Sequence, residues 1–470
     1  MSLSKKIIYS SDQEVIDILK SNPELDVIDE YGYTPLIQTA IINSTTKAKI
    51  LLAAGAKVDF PDLTGRTALF WAADNNNFEL SQLCLKHGAN PNAYSSGSQP
   101  VLVMPLMKKQ QDVKKLLISF GAKLDFAQDF LNAKLLGHSF ELEGRVDIVD
   151  TNNTFIEVEL EGFYLRFTLE IIANSLLNFR NNFGAKKLRK YFPKLDIIMH
   201  ALQTAIDLIQ LQNYLINIDH FLNKINALLE TEPLILPISF GGHAITLIKY
   251  HDWFIRCDRG EYGVEHGTVI YYEMRYPERL TKTLCRELLY KRQHPEFINV
   301  GLAHHLGLQP KITLPLPVQK TGNCSWANAE AVIPTIIFLL LREQRDDNPK
   351  NCEQEALYFY NEWVEWDKSR SLDFCLQSLT TTNQAQRAAK VALLAAILFQ
   401  SCNYNNQNDR DKANKILAIL KQPEYMPILK CYAKSFSQDS DNVLWKNFAN
   451  YLEDFGIDMD ALLSAAKKLN

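Results

Sequence analysis

The sequence has 470 residues, 47% hydrophobic and 22% charged, with a formal net charge of −4. A chain of that size holds about two to four domains with substantial cores. Its charge balance disfavours a bulk polyanion-binding face, so direct nucleic-acid binding is not expected. No window reaches about 18 consecutive apolar residues. The longest candidate, Ala331 to Leu341, is short and contains Pro334, so no membrane span is expected. No long apolar core follows Lys5 and Lys6, which disfavours a cleaved signal peptide. The eight cysteines form no CxxC pair and no zinc-like cluster. They suit a reducing compartment, and neither a metal site nor a cofactor is expected.

The first third repeats with a period of 33 residues. Gly55-Ala56, Gly88-Ala89 and Gly121-Ala122 keep that spacing, as do Thr34-Pro35-Leu36, Thr67-Ala68-Leu69 and Pro100-Val101-Leu102. The stretch Asp62-Leu63-Thr64-Gly65-Arg66-Thr67-Ala68-Leu69-Phe70-Trp71-Ala72-Ala73 resembles the ankyrin repeat closely. Residues 1–130 are therefore expected to form an all-α ankyrin solenoid of about four repeats, the first degenerate. The third body repeat has Ser98-Gln99-Pro100-Val101-Leu102 in place of Gly-x-Thr-Pro-Leu, which predicts an unusual hairpin. The resemblance implies a protein partner, with Phe60, Leu63, Asn75, Tyr94 and Phe126 as candidate contacts. It also marks Asn92, in Gly88-Ala89-Asn90-Pro91-Asn92-Ala93, as a candidate for hydroxylation.

Beyond the array, Arg145 to Val149 and Thr154 to Leu160 alternate around Asp150-Thr151-Asn152-Asn153, a hairpin signature. Leu169 to Phe179 and Lys194 to Leu229 read as helices, a helical insert near 169–230. Strands are predicted at Leu234 to Ser239, Ala244 to Tyr250, Trp253 to Cys257 and Thr268 to Tyr272, with a helix near Thr281 to Tyr290. His304 and His305 fall in a loop-like segment.

The chemistry gathers around Val318-Gln319-Lys320-Thr321-Gly322-Asn323-Cys324, a polar turn running into an apolar helix-forming run. Cys324 at a helix N-terminus meets unpaired N–H groups and a positive dipole end, which favour the thiolate. His243 opens one strand and Asp258 ends the next, so a hairpin brings them together. These residues read as nucleophile, base and orienting carboxylate, with Gln319 as an amide donor for a developing oxyanion. His138, His266, His304 and His305 read as structural or surface residues.

The order His243, Asp258, Gln319, Cys324 resembles the cysteine peptidases of the adenain and ubiquitin-like-protease kind, which have a papain-like site in permuted order. This chain departs from them at Ala244, Arg259 and Ser325. The resemblance implies a papain-like α+β cysteine-protease-like domain over residues 131–344. The whole arrangement also looks like the ankyrin-repeat effectors of the AnkH type, which intracellular bacteria deliver through the Dot/Icm type IV secretion system. The blocks Leu136-Gly137-His138-Ser139-Phe140-Glu141 and Val158-Glu159-Leu160-Glu161-Gly162-Phe163 carry that likeness, and the acidic stretch Glu453 to Asp460 loosely suits a translocation signal.

A polar linker, Arg345 to Asn351, precedes a helical C-terminal region over 352–470, with helices near Glu353 to Asp367, Asn383 to Gln400, Asp409 to Leu420 and Asn442 to Lys468. The expected architecture is multidomain α+β. The expected function is that of a translocated effector acting in the host cytosol or nucleus. It would bind a host protein through its repeats and cleave an amide or isopeptide bond at Cys324. The alternative is a catalytically silent scaffold that modulates a host complex through the repeats, and acyl transfer would use the same triad.

Overall fold

A computed structural model describes residues 3–162, 165–212, 221–320, 322–344, 348–436, 442–458 and 462. Thr321, Phe163, Arg345 to Asp347, Met459 and Asp460, and the expected helix beyond Leu462, lie outside the described residues.

Four helix pairs open the chain: α1 (Leu3–Tyr9) and α2 (Asp12–Leu19), α3 (Pro35–Ile41) and α4 (Thr45–Ala53), α5 (Ala68–Asp74) and α6 (Phe78–Lys86), α7 (Val103–Met107) and α8 (Gln111–Ser119). The period of 33 recurs in the hydrogen bonds. Thr34 and Thr67 each cap a first helix through the side-chain oxygen, worth about 1 kcal/mol apiece. Asp29 Oδ1 accepts the Tyr31 and Tyr33 N–H groups, and Asp62 Oδ1 accepts those of Thr64 and Arg66. Each carboxylate's second oxygen takes a side chain from the following helix, Gln38 in one repeat and the Trp71 indole in the next. In the third body repeat the threonine is missing, and α7 is a five-residue helix with no side-chain cap. Ser98 adopts φ 61° there, Tyr94 bridges Pro100, and the Ser98 hydroxyl donates to the Glu157 carbonyl at 2.6 Å.

Next come α9 (Leu124–Ser139) and the hairpin β1 (Arg145–Val149) with β2 (Phe155–Glu159), an antiparallel pair in register Arg145↔Glu159. The helical insert is α10 (Leu165–Arg180), a 3-10 stretch Phe183–Tyr191, α11 (Phe192–Gln210) and α12 (Leu222–Leu228). Strands β3 (Leu234–Phe240), β4 (His243–Tyr250) and β5 (Trp253–Cys257) follow, then α13 (Glu261–His266) and β6 (Val269–Met274). After α14 (Lys282–Tyr290) and α15 (Leu302–Leu306) comes β7 (Leu308–Thr313), a strand the sequence reading did not assign. The five strands form one antiparallel sheet in chain order, β3-β4-β5-β6-β7. β7 carries Pro310 and mostly exposed side chains, so its pattern lacks the apolar alternation that marks the inner strands. His304 and His305 stand exposed on α15 rather than in a loop.

Then come α16 (Cys324–Glu330), α17 (Val332–Gln344), α18 (Pro349–Ser378), α19 (Gln384–Gln400), α20 (Gln407–Leu420), α21 (Met426–Phe436) and α22 (Val443–Asp454). The expected linker therefore ends in helix: Pro349 starts α18, where its missing N–H costs nothing. The stretch Cys324–Gln344 is long and apolar enough to cross a membrane, with mean hydropathy 1.6, yet 94% of that window is buried, as in a core helix.

Two compact units result. One comprises residues 1–135, 144–160 and 375–470, and the other residues 136–143 and 161–374. This grouping differs from the expected division at 130 and 352. The β1–β2 hairpin and the C-terminal helices α19 to α22 belong with the repeats, while α18 belongs to the other unit up to Phe374. An ion pair and a hydrogen bond explain part of it: Lys390 on α19 meets Asp129 on α9 at 2.8 Å, and the Gln386 amide donates to Asp125 at 3.1 Å.

Candidate active site

Every residue of the expected catalytic set lies in the unit of residues 136–143 and 161–374. His243 is the first residue of β4, after the turn Gly241-Gly242, whose φ values of 56° and 84° favour glycine. Asp258 directly follows β5, the antiparallel neighbour of β4. The pairing places His243 Nε2 2.9 Å from Asp258 Oδ1. Asp258 is 1% exposed and accepts three further bonds, two from Arg256 to Oδ2 at 2.7 and 3.3 Å, and the Gly260 N–H to Oδ1 at 3.1 Å. Burial raises the carboxyl's pKa, but the bonds from His243 and Arg256 outweigh it and hold it below the ordinary value. Arg256 is fixed in turn by Asn299, by the Ile298 carbonyl and by the Tyr262 ring 3.6 Å away.

Cys324 starts α16, and the preceding loop is held in place from both sides. Gly322 has φ 77°, its carbonyl accepts the Gly162 N–H at 3.0 Å, and an added Cβ would stand 2.5 Å from Glu161. The Gln319 N–H donates to the Arg259 carbonyl at 2.9 Å. The Ala244 N–H donates to Cys324 Sγ at 3.4 Å. Burial pushes the thiol pKa up, yet bonds from His243 and from the Ala244 and Ser325 N–H groups bring it below 9.0. Burial likewise opposes charge on His243, but Asp258 and Cys324 outweigh it and raise its pKa to about 9. The thiolate–imidazolium form is the one these surroundings favour. Cys257 is the contrast: buried beside Thr335, its thiol is pushed up to about 12.

Two residues of the site were not picked out by the sequence reading. Asn328, one helical turn after Cys324 and 1% exposed, accepts the Arg259 N–H at 2.7 Å. It donates to the Ala244 carbonyl at 2.8 Å and to Gln319 Oε1 at 3.4 Å. One amide thus joins the histidine strand, the acid loop and the glutamine to the cysteine helix. Because its carbonyl oxygen takes the Asn328 bond, the Gln319 amide keeps its NH2 for another acceptor. A buried asparagine four residues after the cysteine, inside an apolar helix, was the available signal. The other residue is Gly260, where an added Cβ would stand 2.8 Å from His243 Cε1.

His138 is buried rather than on the surface. It stacks on Trp326 with centroids 4.7 Å apart, and its Nδ1 meets Asn323 Oδ1 at 2.8 Å. It braces the residue before Cys324. Arg259 is also structural: buried, it bonds the Pro317 and Ala327 carbonyls and pairs with Glu330. Among the described residues no group of three or more His, Cys, Asp or Glu is placed to hold a metal.

The expected partner contacts divide. Leu63 is 75% exposed at a hairpin tip and Tyr94 is exposed, while Phe60 is half-buried. Asn75 is half-buried and donates to the Ala40 carbonyl at 3.1 Å. Phe126 is a correction: at 2% exposure it is a core residue, packed edge-on against Tyr94 at 5.9 Å. Phe126 lies in the first turn of α9, on the side that faces Tyr94. Asn92 bridges to the following repeat, donating to the Gly121 carbonyl at 3.0 Å and accepting the Lys123 N–H at 2.8 Å.

The ankyrin-repeat family model matches residues 6–95 in three copies. Over 90 residues the chain is 31% identical to an ankyrin repeat-containing protein of Treponema pallidum, covering 19% of this chain and 30% of that protein. Over 77 residues it is 35% identical to Inversin of Gallus gallus, covering 16% of this chain and 7% of that one. The chain thus spans less than a third of these relatives' length. The solved structure of the Legionella effector AnkH is similar end to end, with 40% identity, a TM-score of 0.89, and coverage of 97% of this chain and 98% of that one. The chain belongs to the AnkH family. In this AnkH-family chain the repeats and the remainder therefore share one known overall fold, and the ankyrin array makes proteins the natural partners.

Proposed function

We propose that this chain is a cysteine-dependent acyl hydrolase of the papain-like kind, delivered into host cells as an effector and directed to a host protein by its ankyrin array. The observation that carries the reading is the Cys324 thiol, which accepts the Ala244 N–H at 3.4 Å and is favoured as thiolate by His243, whose Nε2 meets buried Asp258 at 2.9 Å. The thiolate attacks an amide or isopeptide carbonyl, and the Cys324 N–H and the Gln319 amide face the developing oxyanion. The imidazolium gives its proton to the leaving amine. His243 then takes a proton from water, which attacks the thioester and releases the acid. Asp258, held by Arg256, keeps the imidazole oriented throughout. Capture of the thioester by a hydroxyl or amine instead of water would make the same site an acyltransferase.

What supports the effector part is the end-to-end likeness to the Legionella effector AnkH. On this reading delivery is by a type IV system and the site of action is the host cytosol or nucleus, as the sequence resemblance implies. The test is site-resolved alkylation of Cys324 by iodoacetamide, followed by reaction with ubiquitin-like probes carrying a C-terminal electrophile. Rapid labelling that disappears in His243→Ala supports the reading. Labelling at the rate of an ordinary thiol, unchanged by that substitution, overturns it in favour of a scaffold working through exposed hairpin-tip residues such as Leu63 and Tyr94.

A further inference from the structure

Between residues 180 and 195 the sequence carries six basic side chains and no acidic one, within a chain of net charge −4. The 3-10 stretch Phe183–Tyr191 organises them. Ala185, Leu188 and Tyr191 are buried and anchor it, and the Tyr191 hydroxyl donates to Glu355 at 2.9 Å. Phe183, Lys186, Lys187, Arg189 and Lys190 are left outside.

Phe183 is 80% exposed, more than any other large hydrophobic side chain described. A benzyl ring held in water stands against the hydrophobic effect unless something covers it. Its surroundings are cationic. Lys187 pairs with Glu362 at 2.8 Å and Lys190 with Glu355 at 2.9 Å, so those charges are balanced locally. Lys186 and Arg189 have no acidic partner among the described residues. The Lys186 ammonium stands 5.5 Å from the Phe183 ring centroid. An apolar tip is thus flanked by uncompensated positive charge.

The geometry points to peripheral docking of this segment on an anionic phospholipid surface, with Phe183 entering between headgroups and Lys186 and Arg189 on lipid phosphates. Amphipathic surface segments bind membranes through this combination of a buried apolar tip and basic side chains. A single isolated ring gives no platform for stacking successive bases, which single-stranded nucleic acid requires. A side chain so exposed forms no concave pocket to grip a peptide. A bilayer interface needs only the protruding ring and the cations.

The full chain is mixed with phosphatidylcholine vesicles, with or without phosphatidylserine, and co-sedimentation is measured. Expected is association with the anionic vesicles alone, lost at high salt as charge screening requires. Phe183→Ala should weaken it several-fold, and the Lys186→Glu, Arg189→Glu double variant by roughly tenfold or more. All three positions are exposed, and circular dichroism checks that the variants fold. No association with anionic vesicles, or association indifferent to both variants, overturns the proposal. So does binding of a single-stranded RNA through these residues without vesicle binding.

Discussion

His243 and Asp258, 15 residues apart in sequence, stand 2.9 Å apart at matched ends of two antiparallel strands, and Arg256 grips the opposite oxygen of the same carboxylate. The acid is therefore a fixed, charged acceptor, and the imidazole has one orientation to offer Cys324.

The first prediction concerns pH. Thiolate at Cys324 should form as pH rises through a value below the ordinary 9.0, and the imidazolium should persist to about 9. Alkylation of Cys324 should therefore reach its plateau at lower pH in wild type than in His243→Ala. Superimposed profiles for wild type and variant would contradict the pairing.

The same shifts set a stability window. A raised histidine pKa contributes stability in full below 6.5, and that contribution is lost as pH rises through about 9. The depressed cysteine contributes above 9.0 and loses its share as pH falls through its folded value. Urea midpoints of wild type and His243→Gln should accordingly differ at neutral pH, and the gap should narrow as pH rises through about 9, where the histidine's share is lost.

Asn328→Ala leaves the Ala244 carbonyl and the Arg259 N–H buried without their partner, and frees Gln319. A loss of about 2–3 kcal/mol is expected from denaturant melts. Asn328→Asp retains an acceptor for Arg259 but no donor. It should keep more of the stability while still slowing Cys324 alkylation. Labelling as fast as wild type in both variants would show that the hub does not position the site.

Gly260→Ala puts a methyl group 2.8 Å from His243 Cε1 and 3.3 Å from Asp258 Oδ1. The ring must turn away from one of its partners. Slower Cys324 labelling with near-unchanged circular dichroism is the expected result.

In the repeats, adjacent residues should behave oppositely. Asp62→Ala leaves the buried Trp71 indole and two turn N–H groups unpaired, a loss of about 3 kcal/mol by denaturant unfolding. Leu63→Ala, at 75% exposure, should stay within about 0.5 kcal/mol of wild type.

Much of this was legible in the residues. Thr34 and Thr67, with their glycines 33 residues apart, announce capped helix pairs because caps and turns are local chemistry. The alternation through Ile245 and Ile255 announces strands, and a two-residue glycine turn before His243 fixes which strand ends meet. Phe126, by contrast, looked like a surface aromatic, because nothing near it in sequence reveals that it sits in the first turn of α9 with Tyr94, 32 residues earlier, packed against it. β7 was missed because an edge strand with Pro310 buries too little to alternate.

The sequence alone thus determined the repeat array, the meander and the order of His243, Asp258, Gln319 and Cys324, since each rests on periodicity, turns or spacing over a few tens of residues. Only the tertiary structure decided that Asn328 ties those four together, that His138 braces Asn323 from 185 residues away, and that the C-terminal helices group with the repeats. Those relations depend on buried hydrogen bonds and ion pairs between distant segments. Their partners are chosen by packing, which leaves no periodic trace in the chain.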